Sequence, residues 1–213
     1  MTQEIDGSPS SVYGMLTSIF PETRVRCLNQ VHSQVIVRAE QCAEGEIPKA
    51  DGILSLDPDI ILCVRTADCI PILLWSDDVP CIGALHAGWR GLAKGIVKKA
   101  VHMMNSLGAN EIHIRLGPSI GPCCYEVGPD VMRALGVQGF PSPAGTHRVD
   151  LGDVAKKQAM EAGVPEPMIR TVERCTSCNP LEYFSYRRDG ALTGRNISLI
   201  GGKSCLLQGL QGE

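Results

Sequence analysis

Short apolar runs recur along the chain and predict a set of buried strands. The runs are rich in Val and Ile, as is typical of strands. Most of them are continuously apolar, with little alternation of polar residues, which indicates strands covered on both faces. They are QVIVRA at 34–39, DIILCVR at 59–65, CIPILLW at 69–75, PCIGALHA at 80–87 and IHIRLG at 112–117.

A helical pattern occupies residues 90–107 and ends at Gly108. Its apolar positions, three or four residues apart, are Leu92, Ile96, Ala100, Met104 and Leu107. A second helix is predicted over roughly 150–163, and a short one over 129–135 with Pro129 in its first turn. Further strands are predicted at 169–174 and 196–201.

These elements predict a single α/β (α+β) domain over 1–213, a layered sandwich with a mixed β-sheet. A chain of 213 residues is long enough for one self-sufficient core. No repeat of 20 to 50 residues is visible along the chain. We expect residues 1–20 to be peripheral or poorly ordered.

Composition excludes several classes of protein. The net charge of −3 lacks the basic excess of a nucleic-acid or anionic-membrane binder. No apolar run approaches the roughly 20 residues of a membrane span, and no secretory signal is visible. We therefore expect a soluble cytoplasmic protein. Its ten cysteines are too sparse for a disulfide scaffold, so thiol or metal chemistry becomes the question.

Three residues beside predicted strands could form a metal site. Cys69 ends TADC, His86 lies in ALHAGWRG, and His32 precedes the strand in NQVHSQVIV. Two imidazoles and one thiolate suit a tetrahedral zinc ion whose fourth position is left to water or substrate. The spacings match no compact zinc-finger rule. The alternative is a buried cysteine and interior histidines without function.

The segment after His86 could bind an anion. Gly88, Arg90 and Gly91 stand between a predicted strand and a predicted helix, where exposed backbone N–H groups attract phosphate or carboxylate. The segment matches neither a Walker loop nor a dinucleotide fingerprint.

An ordered series of motifs resembles the YfiH family, whose members are also labelled polyphenol oxidase (laccase) family proteins or purine nucleoside phosphorylases. The resemblance covers about residues 25 to 200. It rests on NQVHS at 29–33, TADCIP at 66–71, HAGWRG at 86–91, LGPSIGPCCYEVG at 116–128 and FSYRRDGALTGR at 184–195.

The resemblance implies a CNF1/YfiH-like fold and a metal site of one His and one Cys–His pair, which maps onto His32, Cys69 and His86. It also implies phosphorolysis of adenosine, inosine and methylthioadenosine, together with adenosine deamination. Copper-dependent phenol oxidation and a role in peptidoglycan editing are other labels of the family. Arg65 and Ser33 depart from the common family pattern, which leaves substrate preference open.

Zinc chemistry fits the implied deamination, because zinc lowers the pKa of a water ligand towards about 7. Phosphorolysis also needs an anion site. We expect phosphate to contact Arg187, Arg188 and the segment around Arg90, and Tyr186 to stack on the base or sugar. The alternative for SYRRDG is a solvated turn. The implied partners are a small-molecule nucleoside and phosphate, with no nucleic acid or membrane and the oligomeric state open.

The remaining cysteines divide into two groups. Cys123 and Cys124 are adjacent, and Cys175 and Cys178 form a single C-x-x-C pair, so a second soft metal site, a disulfide or free thiols all stay open. The others resemble ordinary small apolar residues: Cys27, Cys42, Cys63, Cys81 and Cys205.

Three alternative functions remain. Cys69 and His86 could be the nucleophile and base of a cysteine hydrolase. A copper-dependent polyphenol oxidase is a second alternative, although only five histidines argue against a multicopper site. A non-catalytic factor in envelope quality control is the third, and it would need a fourth protein ligand to complete a structural zinc site.

Overall fold

In the part of the chain that the structure describes, six strands follow the first α-helix in succession, and strands and helices are interspersed in the chain after them. A computed structural model describes residues 7–57, 59–141 and 147–201. Its strands are β1 (Arg24–Arg26), β2 (Ile36–Arg38), β3 (Gly52–Ser55), β4 (Ile60–Thr66), β5 (Ile70–Ser76), β6 (Ile82–Ala87), β7 (Ile112–Leu116), β8 (Glu126–Val127), β9 (Phe140–Pro141), β10 (His147–Arg148), β11 (Ile169–Thr171) and β12 (Asn196–Gly201). Its α-helices are α1 (Pro9–Ile19), α2 (Trp89–Ala93), α3 (Ile96–Ser106), α4 (Pro129–Leu135), α5 (Leu151–Glu161) and α6 (Tyr186–Asp189).

A mixed six-stranded sheet forms the centre of the fold, in the order β11-β7-β5-β6-β3-β2. Its two outer pairs are parallel and its inner pairs are antiparallel. A second sheet has the order β1-β4-β12, and a third small sheet has the order β8-β10-β9.

Three buried clusters show how the layers stack. The largest packs one face of the six-stranded sheet against α2, α3 and α5. The second fills the space between the other face of that sheet and the β1-β4-β12 sheet. The third lies between the outer face of the β1-β4-β12 sheet and α1. This arrangement confirms the predicted layered sandwich with a mixed sheet.

The strand β4 shows why its sequence is continuously apolar. Ile60, Leu62 and Val64 pack into the cluster between the two sheets. Ile61 and Cys63 point the opposite way, into the cluster beneath α1. Because successive side chains of a strand point to opposite faces, a strand between two packed layers must be apolar at every position.

The prediction of one helix over 90–107 is wrong. Two helices, α2 and α3, occupy this range, and Gly95 between them takes a left-handed backbone with φ +76°. A left-handed residue interrupts the helical hydrogen-bond ladder, so α3 begins anew after it. The predicted apolar face is nevertheless correct, since Leu92, Ile96 and Met104 are all in the large cluster.

The other two predicted helices are confirmed. The helix α5 begins after Asp150, whose carboxylate accepts the backbone N–H groups of Gly152 and Asp153 at 2.8 and 3.2 Å. The helix α4 begins at Pro129 and ends before Gly136, which has φ +66°. Both ends follow ordinary capping chemistry.

The helix α1 occupies part of the segment expected to be peripheral. It lies on the outside of the β1-β4-β12 sheet, yet its Val12 and Leu16 are buried against that sheet. Residues 1–6 and Cys205 lie outside the described residues. In the described part of the chain, no helix is long and apolar enough to cross a membrane.

Candidate functional site

Strand register brings Cys69 and His86 together. Strands β5 and β6 are antiparallel neighbours, with Ile70 opposite Ala87. Cys69, directly before β5, therefore lies beside Gly88, directly after β6. On the other side of β6, Leu85 lies opposite Gly52, and the backbone N–H of His86 donates to the carbonyl of Asp51 at 2.7 Å. Three neighbouring strands thus align Asp51, His86 and Cys69.

The carboxylate of Asp51 fixes the loop that carries His32. It accepts the backbone N–H groups of Val31, His32 and Ser33 at 3.3, 3.0 and 2.6 Å. The Ser33 hydroxyl donates to it at 2.7 Å. His32 itself has a left-handed backbone with φ +57°, an unfavourable conformation that these hydrogen bonds offset.

Gln30 anchors the same loop to β4. Its side-chain amide donates to the carbonyl of Arg65 at 2.6 Å, and its side-chain oxygen accepts the backbone N–H of Arg65 at 2.9 Å. The position of His32 is therefore set from both sides of the loop. Ser33, a departure from the family pattern, becomes part of the Asp51 hydrogen-bond cradle.

Asp51 also orients the imidazole of His86. One carboxylate oxygen lies 2.8 Å from Nδ1 of His86, and both side chains are buried. Burial alone would raise the pKa of Asp51, but hydrogen bonds from His86 and Ser33 outweigh it and lower this pKa to about 2. An ionised carboxylate only accepts, so Nδ1 of His86 donates to it, and Nε2 is the nitrogen left to bind a metal ion in exchange for its own proton.

The three candidate ligands converge. Nε2 of His32 lies 3.9 Å from Sγ of Cys69, and the two imidazole rings meet edge to face with centroids 4.8 Å apart. All three ligand atoms lie within 4.8 Å of one another. In a tetrahedral zinc site with Zn–N of about 2.0 Å and Zn–S of about 2.3 Å, two nitrogens and one sulfur are about 3.3 to 3.5 Å apart. The residues fit such an ion after small adjustments.

The electrostatics favour a thiolate at Cys69. Burial opposes its ionisation, but hydrogen bonds with His32 and His86 and their positive charge lower the pKa of Cys69 to about 6. Burial likewise disfavours the charged form of His86, yet Asp51 and Cys69 together raise the pKa of His86 to about 9. A thiolate is the form of cysteine that binds metals and acts as a nucleophile.

Gly88 leaves room for the three ligands. A Cβ atom at this position would lie 2.9 Å from Sγ of Cys69 and 3.3 Å from Cδ2 of His32. The metal-binding space is thus closed on this side by a residue without a side chain. Gly91 instead allows the backbone of the His32 loop to approach, because its Cβ would lie 3.0 Å from the carbonyl oxygen of Ser33.

His32, Cys69 and His86 all line a cleft of about 660 Å³. Arg65, Arg195 and Tyr186 line the same cleft. The side chain of Tyr186 is 55% exposed. The structure therefore brings the predicted metal ligands and one predicted substrate residue together around one opening.

A buried carboxylate connects the C-terminal segment to this cleft. Asp68, with φ +86°, accepts the hydroxyl of Thr176 and the backbone N–H of Arg187, each at 2.6 Å. Asp68 directly precedes Cys69, so these contacts hold α6 and its Tyr186 beside the cleft that the candidate metal ligands line. The segment SYRRDG is therefore a short helix beside the cleft.

Tyr125 lies near Cys69 and near two of the candidate arginines, Arg90 and Arg187. Burial raises its pKa to about 12, with a further contribution from the charge of Cys69, while Arg187 and Arg90 oppose the shift. The guanidinium carbon of Arg187 lies 5.3 Å from the centre of the Tyr125 ring. Arg90 is exposed and lies over Trp89, 4.4 Å from its ring centre.

The guanidinium of Arg188 is occupied by contacts within the C-terminal segment. Its guanidinium donates to the carbonyl oxygens of Thr176, Ser177 and Tyr183 at 2.9, 3.3 and 3.0 Å and pairs with Asp189. These bonds fold the C-terminal segment onto itself. A direct contact of Arg188, Gly88 or Gly91 with phosphate stays a prediction.

The sequence reasoning missed several contributors to the site. Asp51, Asp68 and Tyr125 were not singled out, nor were Gln30 and Arg195. All of these except Asp51 lie within motifs that carry the family resemblance, which could have drawn attention to them. Nothing local marks Asp51, because its partners lie 18 to 35 residues away along the chain.

Comparison with known proteins decides the family. A family model described as multi-copper polyphenol oxidoreductase laccase matches residues 14–203. The chain belongs to this family. The YfiH/laccase-like resemblance of the sequence motifs is thereby confirmed.

Curated relatives within the YfiH/laccase-like family carry the name of an enzyme. The chain is 34% identical over 201 residues to purine nucleoside phosphorylase YlmD of Geobacillus stearothermophilus, covering 85% of this chain and 73% of that protein. It is 36% identical over 180 residues to a purine nucleoside phosphorylase of Deinococcus radiodurans, covering 82% of this chain and 68% of that protein.

Solved structures of this family share the fold. The crystal structure of YlmD from Geobacillus stearothermophilus superimposes with a TM-score of 0.82 at 32% identity, covering 95% of this chain and 84% of that one. The Bacillus licheniformis hypothetical protein YfiH gives a TM-score of 0.80 at 27% identity, covering 94% of this chain and 84% of that one.

Proposed function

We propose that this protein is a purine nucleoside phosphorylase that holds a zinc ion on His32, Cys69 and His86. The observation that carries the proposal is the convergence of these three donors within 4.8 Å on the wall of a cleft of about 660 Å³. Small-molecule sites commonly have such volumes. The names of the relatives supply the reaction class.

The ligand set favours a catalytic over a structural metal. Among the described residues, this group offers three ligands, whereas structural zinc sites usually have four protein ligands. When bound, a zinc ion acts as a Lewis acid that polarises an oxygen atom placed in its open position. Asp51 holds both histidines in one orientation before substrate arrives.

The charges around the cleft suit phosphate as the second substrate. Arg65 and Arg195 line the cleft, and Arg90 and Arg187 lie near Tyr125 on another side. In phosphorolysis, a phosphate oxygen bonds to C1′ of the ribose while the bond from C1′ to the purine nitrogen breaks. The base leaves with the electron pair and takes up a proton. We propose that arginines orient the phosphate for this attack.

Tyr186 is proposed to bind the nucleoside itself. Its ring lines the cleft and is half exposed, which leaves a face available for stacking on a purine. We propose adenosine, inosine and methylthioadenosine as nucleosides. The same cleft is also proposed to deaminate adenosine, replacing its exocyclic amine with oxygen from water and releasing ammonia.

Product analysis tests both reactions. Zinc-loaded protein should convert adenosine to adenine and ribose 1-phosphate only when phosphate is present, and to inosine with or without phosphate. His86→Ala should abolish both reactions. His102→Ala is the matched control, because His102 is an exposed histidine on α3 outside the cleft, and it should retain both. Absence of both products, or full activity of His86→Ala, would refute the proposal.

The cysteine hydrolase is a second candidate, favoured by one specific arrangement. Cys69, His86 and Asp51 stand in the order of nucleophile, base and orienting carboxylate, and the pKa of Cys69 is lowered to about 6. A metal ion bound to Sγ of Cys69 would prevent this sulfur from attacking a substrate, so the two functions exclude each other. Stoichiometric zinc with Cys69 protected from iodoacetamide supports the phosphorylase. Rapid alkylation of Cys69 in fully active, metal-free protein supports the hydrolase.

Copper is the alternative metal. Two histidines and a cysteine are also the in-plane ligands of blue-copper sites. A multicopper cluster lacks ligands in the described chain, where His102, His113 and His147 belong to neither group of potential metal ligands. Elemental analysis of the protein as purified should find zinc at this site, and a strong blue thiolate-to-copper absorption would contradict the zinc assignment.

A further inference from the structure

Four cysteines outside the cleft lie together on the surface of the fold. Cys123 and Cys124 come from the turn between β7 and β8, and Cys175 and Cys178 come from the segment after β11. Sγ of Cys178 lies 3.5 Å from Sγ of Cys123 and 3.3 Å from Sγ of Cys124. All four sulfur atoms lie within 4.8 Å of one another.

These separations correspond to a shared metal ion. Tetrahedral zinc with Zn–S of about 2.3 Å places its sulfur ligands about 3.8 Å apart. A disulfide requires about 2.05 Å between two sulfurs and leaves the other two outside the bond. Four thiols gathered around one point satisfy the first geometry and not the second.

The backbone aims adjacent cysteines at the same point. Gly121 accepts the N–H groups of Cys124 and Tyr125 at 3.0 and 2.9 Å, which closes a tight turn around Cys123. In such a turn, neighbouring side chains need not point to opposite sides as they do in a strand. A Cβ atom on Gly121 would lie 3.3 Å from Cβ of Cys175 and 3.4 Å from Sγ of Cys123, so this residue allows the close approach.

Backbone pairing joins the two cysteine segments directly. Ser119 bridges to Cys175, and Thr176 donates its N–H to the Ser119 carbonyl at 3.0 Å. The N–H of Gly121 donates to Sγ of Cys175 at 3.2 Å. An amide that donates to a cysteine sulfur stabilises a thiolate, the form that binds a metal.

We propose that Cys123, Cys124, Cys175 and Cys178 bind one zinc ion as a closed, structural site. Four thiolates fill a tetrahedral coordination sphere and leave no position for substrate. This site differs in kind from the three-ligand centre in the cleft. Its presence does not depend on the proposed phosphorylase activity.

The structural site supports one wall of the cleft. Thr176, between two of the cysteines, donates its hydroxyl to Asp68, the neighbour of Cys69. Tyr125 follows Cys124 directly, and Arg187 lies over its ring. A metal that clips the two segments together would hold these residues in register with the catalytic ligands.

The zinc content of the purified protein, measured per chain by elemental analysis, tests the proposal. Wild-type protein purified from zinc-supplemented medium should contain two zinc ions per chain, one for each group of ligands. Cys175→Ser/Cys178→Ser should retain only the cleft zinc, and His86→Ala only the four-cysteine zinc. Cys42→Ser is the control, since Cys42 belongs to neither group, and it should keep both ions.

Cobalt substitution identifies the ligands even where a variant loses stability. Cobalt-loaded His86→Ala should show the intense thiolate-to-cobalt absorption of a four-sulfur site, and the single variant Cys178→Ser should weaken it. Thiol alkylation should spare the four cysteines until a chelator is added. Wild-type protein with one zinc ion, which His86→Ala removes entirely, would overturn the proposal. So would a disulfide among these cysteines in protein prepared without oxidant.

Discussion

Nδ1 of His86 lies 2.8 Å from a carboxylate oxygen of the fully buried Asp51. The same carboxylate accepts the backbone N–H of His32. One buried charge therefore sets the tautomer of one histidine and the backbone of the other. Outer carboxylates of this kind commonly tune metal sites through the histidine ligand.

Asp51→Asn should weaken metal binding and also lower the stability of the fold, because its NH2 group would face buried donors that the carboxylate now accepts. The amide is nearly the same size, but it lacks the charge that keeps the proton on Nδ1 of His86. Zinc affinity, measured by competition with a chromophoric chelator, should fall by about 10- to 100-fold. The melting temperature of the zinc-free protein should fall as well, so the affinities are compared well below the melting transition of both proteins.

A second Asp–His pair provides the control for this change. Asp77 lies 2.9 Å from Nε2 of His113, on the surface and outside the cleft. Asp77→Asn should leave zinc affinity at the wild-type value. Equal losses in the two variants would mean that the role assigned to Asp51 is wrong.

Gly88→Ala should weaken metal binding, because the added methyl group occupies space next to Cys69. The added Cβ would lie 2.9 Å from Sγ of Cys69, so the sulfur or the backbone must move. We expect weaker zinc binding and a large loss of activity while the circular dichroism spectrum is retained. Gly14→Ala is the control, because nothing lies within 4 Å of its added Cβ. It should stabilise α1 by up to about 1 kcal/mol.

Tyr186→Ala should raise KM for the nucleoside more than it lowers kcat. Stacking of an aromatic side chain on a base contributes about 1 to 3 kcal/mol, which corresponds to roughly 5- to 140-fold in affinity. Tyr186→Phe should keep nearly normal KM, since the ring is retained. Leu192→Ala, at a 98% exposed position outside the cleft, should change neither constant. An unchanged KM in Tyr186→Ala would remove this residue from the substrate site.

The hydrogen bonds to the Asp78 carboxylate predict that the folded protein loses stability in acid. Its carboxylate accepts hydrogen bonds from the Ser76 hydroxyl, from the backbone and side chain of Asn110 and from the Glu111 N–H, and these bonds hold its pKa well below the ordinary value. A lowered pKa contributes stability that is present above the unfolded pKa of about 3.9 and is lost as pH falls below it.

Urea unfolding at a series of pH values checks this contribution. The urea midpoint of Asp78→Asn should lie below that of wild-type protein at pH 7, and the difference should shrink as pH falls from 5 towards 2. Parallel curves for the two proteins over this range would show that the Asp78 carboxylate does not stabilise the fold.

The fold was predictable where the apolar pattern is long and uniform. The continuous hydrophobicity of β4 follows from its place between two packed layers, and the capping residues of α4 and α5 mark their ends. The break between α2 and α3 was not predicted, because the apolar periodicity continues through Gly95. The three-residue strand β1 was not predicted, because it depends on pairing with a distant partner, whereas β2 lies inside the strand predicted at 34–39.

The site was predictable only as far as residue type reveals chemistry. Two histidines and a cysteine beside strands suggested a metal site by their residue types, although their spacing gave no support, and the structure brings these three together. Asp51 and Asp68 act through partners 18 to 119 residues away, and only the folded chain reveals such partners. The four-cysteine cluster likewise depends on a contact between segments more than 50 residues apart.

The central claim is that His32, Cys69 and His86 hold a metal ion whose fourth position is open to the cleft. The decisive measurement is anomalous X-ray scattering at the zinc edge from crystals of the metal-loaded protein. We predict a peak bound by Nε2 of His32, Sγ of Cys69 and Nε2 of His86, with its fourth position facing the cleft. A peak completed by a fourth protein ligand, or no peak between these three residues, would contradict the account.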